Sequence, residues 1–94
     1  MERKHIAVLG DEDTILGFRL TGLVFTKNNP NFIVVDPKTD DETVESIFKN
    51  IMDREDIAIV LICEYVKSKI FSALRSLKNS NPTIIFIPNK VLGN

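Results

Sequence analysis

A chain of 94 residues, 44% hydrophobic and 27% charged with a formal net charge of −1, has the makeup of one globular domain with a modest core. That balance excludes intrinsic disorder, and no stretch is long and apolar enough to read as a membrane-spanning helix. The single cysteine excludes an internal disulfide and an all-cysteine metal site and suits a reducing, cytosolic compartment, while the charged start Met1-Glu2-Arg3-Lys4-His5 lacks a signal peptide's apolar segment.

Ile6-Ala7-Val8-Leu9 is apolar without alternation, as a strand buried on both faces should be. Ile15, Leu16, Phe18, Leu20 and Leu23 then predict a helix, which Gly22 should weaken. Phe32-Ile33-Val34-Val35 reads as a second strand, fenced by Pro30 and by Asp36-Pro37. The clearest helix follows, because Val44, Ile47, Phe48, Ile51 and Met52 recur at i, i+3, i+4, i+7 and i+8. Thr39 with Glu42 spells a capping box before it, and Asp40 and Asp41 suit the positive end of its dipole. Ile57-Ala58-Ile59-Val60-Leu61-Ile62 is the strongest strand signal. Val66, Ile70, Ala73, Leu74 and Leu77 predict a third helix, ending at Asn79-Ser80-Asn81-Pro82. Thr83-Ile84-Ile85-Phe86-Ile87, between Pro82 and Pro88, is the fourth strand.

Strands alternating with helices predict an α/β fold with right-handed crossovers. The expected architecture is a four-stranded parallel sheet in the flavodoxin-like order 2-1-3-4, with three helices distributed over both faces, forming a single domain across residues 1–94. Strand four then lies at an edge, uncharged and β-rich, and needs a C-terminal segment or a partner to cover it. Charge divides along the chain, formally −5 over residues 1–56 and +4 over residues 57–94.

Ligands of such sheets sit at the carboxyl ends of the strands, here at Gly10-Asp11-Glu12-Asp13-Thr14. Consecutive carboxylates repel phosphate, and glycines at 10, 17 and 22 fit neither G-x-G-x-x-G nor a P-loop, so nucleotide binding is not expected. The acids suit either Mg²⁺ or a helix cap, and the strong preference of Asp for N-cap positions favours the cap. A receiver-like signalling domain would use Asp11 and Asp13, but its phospho-accepting aspartate is missing where Ile62-Cys63-Glu64 closes strand three. Cys63 lies at the opposite edge of the sheet from His5, so the two form no nucleophilic pair, and Cys63 is expected to be a small buried apolar residue. Lys67, Lys69, Arg75 and Lys78 with Phe71 are the only basic-aromatic grouping, too little for nucleic-acid binding in a near-neutral chain. No catalytic residue, metal site or cofactor is expected.

Gly10-Asp11-Glu12-Asp13-Thr14 followed by Gly17-Phe18 and Gly22 resembles the start of the F subunit of the vacuolar-type (V-type) proton ATPase. Asn29-Pro30-Asn31-Phe32-Ile33-Val34-Val35 is similar to that family's second strand and its preceding loop. Arg54-Glu55-Asp56-Ile57-Ala58-Ile59-Val60-Leu61-Ile62 resembles its R-D-D-I-x-I-x-L-I segment, and Pro82 with Ile87-Pro88-Asn89-Lys90 resembles its closing P-x-x-x-x-I-P-S-K. Asn89 stands where serine is usual and Phe86 where glutamate is common, the loop Phe25–Asn31 has the longer eukaryotic form, and the family's helical tail after residue 90 is expected to be largely absent.

The resemblance implies the same α/β fold and a non-catalytic subunit of the central rotor stalk, without cofactor and not a homo-oligomer. It implies pairing with the coiled-coil D subunit, contact with the catalytic head, and coupling of ATP hydrolysis to proton translocation. The place implied is the cytosolic face of acidic, vacuolar-type organelle membranes, peripheral to the membrane through the complex. Gly10, Asp11, Glu12, Asp13, Thr14, Gly17 and Phe18 would then be structural, capping and packing the first helix. The exposed edge directs the coiled coil to Phe71, Ile85, Ile87, Pro88, Asn89 and Lys90, leaving Lys27 and Asn28 for a second contact with the head.

Overall fold

The continuous apolar runs take the centre of the sheet. In the computed structural model, which describes residues 5–77 and 82–88, β1 (His5–Gly10) pairs with β3 (Ile57–Cys63), and β2 (Phe32–Val34) and β4 (Thr83–Ile87) lie outside them. All pairings are parallel and the order is β2-β1-β3-β4. Ala7, Val8 and Leu9 of β1 are fully buried, as are Ile57, Val60, Ile62 and Cys63 of β3. The expected four-stranded topology is the observed one.

α2 (Asp41–Met52) carries Val44, Phe48 and Ile51 inward, as its spacing predicts. Its cap differs from the expected box. Thr39 is held in a turn, donating its N–H to Asp36 O at 2.9 Å. Asp40 caps instead, with Oδ2 accepting from Thr43 N at 3.2 Å and Oδ1 accepting from Thr43 Oγ1 at 2.8 Å.

α1 (Glu12–Leu20) is also shorter and less buried than its apolar residues suggest. Ile15 is buried, but Leu16 and Leu20 are 56% and 78% exposed, and Leu23 lies beyond the helix end. Gly22 is therefore not an interior residue weakening the helix. It follows the C-cap Thr21 with φ +92°, a left-handed conformation that ends helices and suits glycine.

The third connection is interrupted. α3 (Glu64–Lys67) passes into a 3₁₀ turn, Ser68–Ile70, and then α4 (Phe71–Arg75). Ser68 Oγ donates to Tyr65 O at 3.3 Å, a local bond that competes with the regular ladder. Val66, Ile70 and Ala73 are buried as expected, whereas Leu77 is 37% exposed. α4 ends at Arg75 with Ser76 as its C-cap, before the expected end at Asn79-Ser80-Asn81-Pro82, whose first three residues lie outside the described ones.

Two apolar layers result. Ala7, Leu9, Val60 and Ile62 meet Val44, Phe48 and Ile51 of α2 and Val66, Ile70 and Ala73 of the third connection. On the opposite face, Val8 and Phe32 meet Ile15, with Ile6, Phe18, Leu23 and Leu61 packed around them. One helix, α1, packs on that second face, over β1 and β2.

Asn31 ties the long loop between α1 and β2 to the sheet. It is fully buried, its Nδ2 donating to Ile6 O and Val24 O at 2.8 Å each. Its Oδ1 accepts from Thr26 N at 2.9 Å and Thr26 Oγ1 at 3.2 Å. Arg54 adds a second tie, donating to Pro30 O at 2.8 Å while its Nε and Nη2 donate to Asp56 at 3.0 and 2.7 Å. Replacing Asn31 by Ala strands two carbonyls and an amide, so Asn31→Ala is expected to cost about 2–4 kcal/mol in urea unfolding. A loss below about 0.5 kcal/mol would contradict the anchoring role.

Candidate functional site

The carboxyl end of β1 brings Gly10, Asp11, Thr14 and Cys63 together. Asp11 is the N-cap of α1, with Oδ2 accepting from Thr14 N at 3.3 Å and Oδ1 accepting from Thr14 Oγ1 at 2.6 Å. The buried Cys63 Sγ lies 3.8 Å from the same Oδ1, donating to it. A Cβ on Gly10 would stand 2.4 Å from Cys63 Sγ, so glycine is required by space alone. Glu12 and Asp13 are exposed on the first turn of α1, Gly17 is exposed with open space around it, and Phe18 is half-buried against Val8, Ile15 and Phe32.

This chemistry is a cap. The Thr14 hydroxyl bond holds the Asp11 carboxyl below the usual range, and burial pushes the Cys63 thiol up, away from the thiolate a nucleophile needs. Burial also pushes Tyr65 up to about 12, and its hydroxyl donates to Val35 O, fastening α3 to the end of β2. Among the described residues, no group of three or more His, Cys, Asp or Glu is placed to hold a metal. Cys63 also occupies the strand-three position where a receiver would carry its phospho-acceptor.

The expected partner-binding residues are divided by the sheet. Ile85 is 44% exposed on the α1 side, because Ile84 and Phe86, its neighbours along β4, turn to the larger core. Ile87 packs against that larger core and Pro88 is exposed. Phe71 is 54% exposed on α4, which packs beside α2 on the far side of the sheet, with the Arg75 guanidinium 5.7 Å from its ring. Phe71 and Ile85 therefore do not share a surface. Asn89 and Lys90 lie outside the described residues, as does Lys78. Lys27 and Asn28 are exposed on the anchored loop. The other basic residues of the third connection have local roles: Lys67 Nζ sits 4.9 Å over the Phe86 ring, and Lys69 Nζ donates to Thr39 O at 2.7 Å.

A surface that residue patterns had not singled out emerges from the register. Phe32, Val8, Leu61 and Ile85 form one row across all four strands, and Ile6, Ile59 and Thr83 form the next. Phe32 and Val8 are buried beneath α1, Leu61 is half-buried, and Ile85 is open. Ile59 and Ile85 belong to neither core layer. The β3–β4 half of this face is thus an apolar strip beside α1. Its signal was present in the odd-numbered apolar residues of β3 and β4, which a fully buried reading of both strands conceals.

Among the described residues, no helix is long and apolar enough to cross a membrane. Residues 6–93 match the family described as ATP synthase (F/14-kDa) subunit. The V-type proton ATPase F subunit of Homo sapiens is 40% identical over 89 residues, which span 93% of this chain and 75% of that protein. The Dictyostelium discoideum protein of the same name is 41% identical over 91 residues, with 95% and 76% covered. The crystal structure of the F subunit of the V-type ATP synthase from Archaeoglobus fulgidus superimposes with a TM-score of 0.63 at 21% identity, covering 92% of this chain and 99% of that one. It shares the fold.

Two substitutions check the turn. Gly10→Ala is expected to cost about 1–3 kcal/mol through overpacking, and Gly10→Ala combined with Cys63→Ala should recover most of that loss. Strict additivity of the two would contradict the contact. Asp11→Ala should cost about 1 kcal/mol near neutral pH. The lowered carboxyl binds fewer protons folded than unfolded, so its contribution is present above the unfolded value of about 3.9 and lost as pH falls through the folded one. Denaturation across a pH series should show the gap to wild type closing only in that acid range.

Proposed function

This chain belongs to the F-subunit family of the V-type proton ATPase, and we propose that it is a non-catalytic subunit of the central rotor stalk, seated on the coiled-coil D subunit. The reading rests on family membership, and the observation that carries the docking is the apolar strip beside α1, where Ile59 and Leu61 are half-buried and Ile85 is exposed. Adjacent strands lie about 4.8 Å apart, and an α-helix with its side chains is about 10 Å wide, so one helix covers two strands. α1 occupies β1 and β2; a partner helix beside it covers β3 and β4.

Such seating suits torque transmission. The load passes into the central strands β3 and β1, which hold Ala7, Val8, Leu9, Ile57, Val60 and Ile62 fully buried, rather than into a loop. β4 contributes Ile85, with the exposed Pro88 at the strand's end, whereas Ile87 packs against the larger core. Phe71 stands outside this contact. Lys27 and Asn28, held out from the sheet by the Asn31 anchor, face the catalytic head. ATP hydrolysis belongs to the head, proton movement to the membrane sector, and the chain to the cytosolic face of an acidic organelle.

Hydrogen exchange on the chain, alone and with its coiled-coil partner, tests this. Protection is expected over residues 59–61 and 83–87. Ile85→Asp, at an exposed position, should leave the thermal midpoint within a few degrees of wild type while reducing co-purification at least about tenfold, equivalent to about 1.4 kcal/mol of binding. Phe71→Asp should change neither. Protection confined to α2, or loss of binding with Phe71→Asp and not Ile85→Asp, would overturn the docking.

A further inference from the structure

Among the described residues, the outer edge of β2 pairs with no other strand. Val8 N–H donates to Asn31 O and Val35 N–H donates to Gly10 O, each at 2.8 Å. With Val8 opposite Phe32 and Gly10 opposite Val34, residues 31, 33 and 35 turn their backbone groups toward β1. The N–H and C=O of Phe32 and Val34 point the other way, out from the sheet. No charged residue or proline interrupts the strand, and Val34 is 49% exposed.

Grooves with both apolar and polar lining flank this edge on both faces. On the α2 side, a groove of about 430 Å³ is lined by Ile33, Ile47 and Ile51. On the α1 side, one of about 330 Å³ is lined by Ile15, Leu16 and Val34 together with the charged Glu12, Asp13 and Arg19. An added strand sends successive side chains to opposite faces, so its residues would enter the two grooves alternately. A helix could fill one groove but could not satisfy the strand's outward amides.

The edge also has polarity. Arg19 rims the groove toward the amino end of β2, with its guanidinium over the Phe25 ring at 4.4 Å. Asp11, Glu12 and Asp36 surround Val34 at the carboxyl end. Arg54 is not part of this polarity, because its charge is paired with Asp56.

We infer that the β2 edge binds an extended segment of another chain of the ATPase by strand addition. That segment alternates apolar side chains into the two grooves, with an acidic end beside Arg19 and a basic end beside Glu12 and Asp36. The inference rests on membership of the ATPase, but the contact is separate from the β3–β4 strip and lies at the opposite edge of the sheet. It adds a second point of attachment.

The test uses Val34, whose amide belongs to the open edge and not to the ladder. In site-resolved hydrogen exchange, the Val34 amide should exchange rapidly in the isolated chain and at least about tenfold more slowly in the assembled ATPase, at matched pH and temperature. Val34→Pro removes the outward N–H without removing a bond to β1, so the isolated variant should fold with a thermal midpoint near wild type. Its incorporation into the assembled complex should fall at least about fivefold, and Leu16→Asp, which charges the α1-side groove, should do the same. Equal exchange at Val34 in both states would overturn the inference, as would normal incorporation of both variants. Protection at residues 59–61 and 83–87 with none at Val34 would leave the stalk docking standing and remove this one. Concentration-dependent dimers of the isolated chain that protect Val34 would assign the edge to a second copy and also overturn it.

Discussion

Right-handed crossovers leave this sheet unevenly covered, and the uneven cover governs what the molecule presents. The β1-to-β2 connection moves toward one edge and places α1 on one face; the β3-to-β4 connection moves toward the other edge and places α3 and α4 on the opposite face with α2. The larger core therefore has helices across its width, while the smaller one has α1 over β1 and β2. Exposure rises along a single register row, from Phe32 and Val8 to Leu61 and Ile85. Among the described residues no second helix covers the β3–β4 half of that face, and the docking proposed above would place a partner helix there.

The remaining features hold this frame rigid. Gly10 lets β1 end against Cys63 of β3, and Asp11 uses the same turn to start α1. Tyr65 fastens the third connection to Val35, and Lys69 reaches from it to Thr39 before α2. At the amino end, Asn31 and Arg54 close the long loop onto β1 and onto the approach to β3. The turn that looked most like a ligand site is thus a joint. Its acid is engaged in the joint, accepting from the Thr14 amide and hydroxyl and from the Cys63 thiol.

Much of this was legible in the residues, and the failures have physical causes. Strand identity and order followed from apolar runs separated by helical patterns, and the α2 face followed from its period. An aspartate cap on α1, at Asp11 or Asp13, followed from residue preference, and the structure selects Asp11. The apolar residues of α1 predict the helix but not its burial, because Leu16 and Leu20 fit a helical pattern whether they face the sheet or solvent. The α2 cap was misplaced by one residue, since Thr39 and Asp40 have similar preferences and only the Asp36 turn distinguishes them. Asn31 and Arg54 were missed because their partners are backbone carbonyls 25 and 24 residues away, which side-chain patterns do not encode. The exposed edge of strand four suggests one contact for Phe71 and Ile85, but alternation along β4 turns Ile85 to the α1 side while α4 carries Phe71 beside α2.

The central claim is that the α1-side strip is covered by the coiled coil when the ATPase is assembled. Cys63 is buried, so Ile85→Cys introduces the accessible thiol of the described residues. Labelling that thiol with a short maleimide, in the free chain and in the assembled enzyme, reads the strip directly. The account predicts rapid modification of the free chain, strong protection on assembly, and capture of a helix of the coiled-coil partner by a short bifunctional reagent at position 85. Equal modification in both states, with no crosslink to that partner, would contradict it.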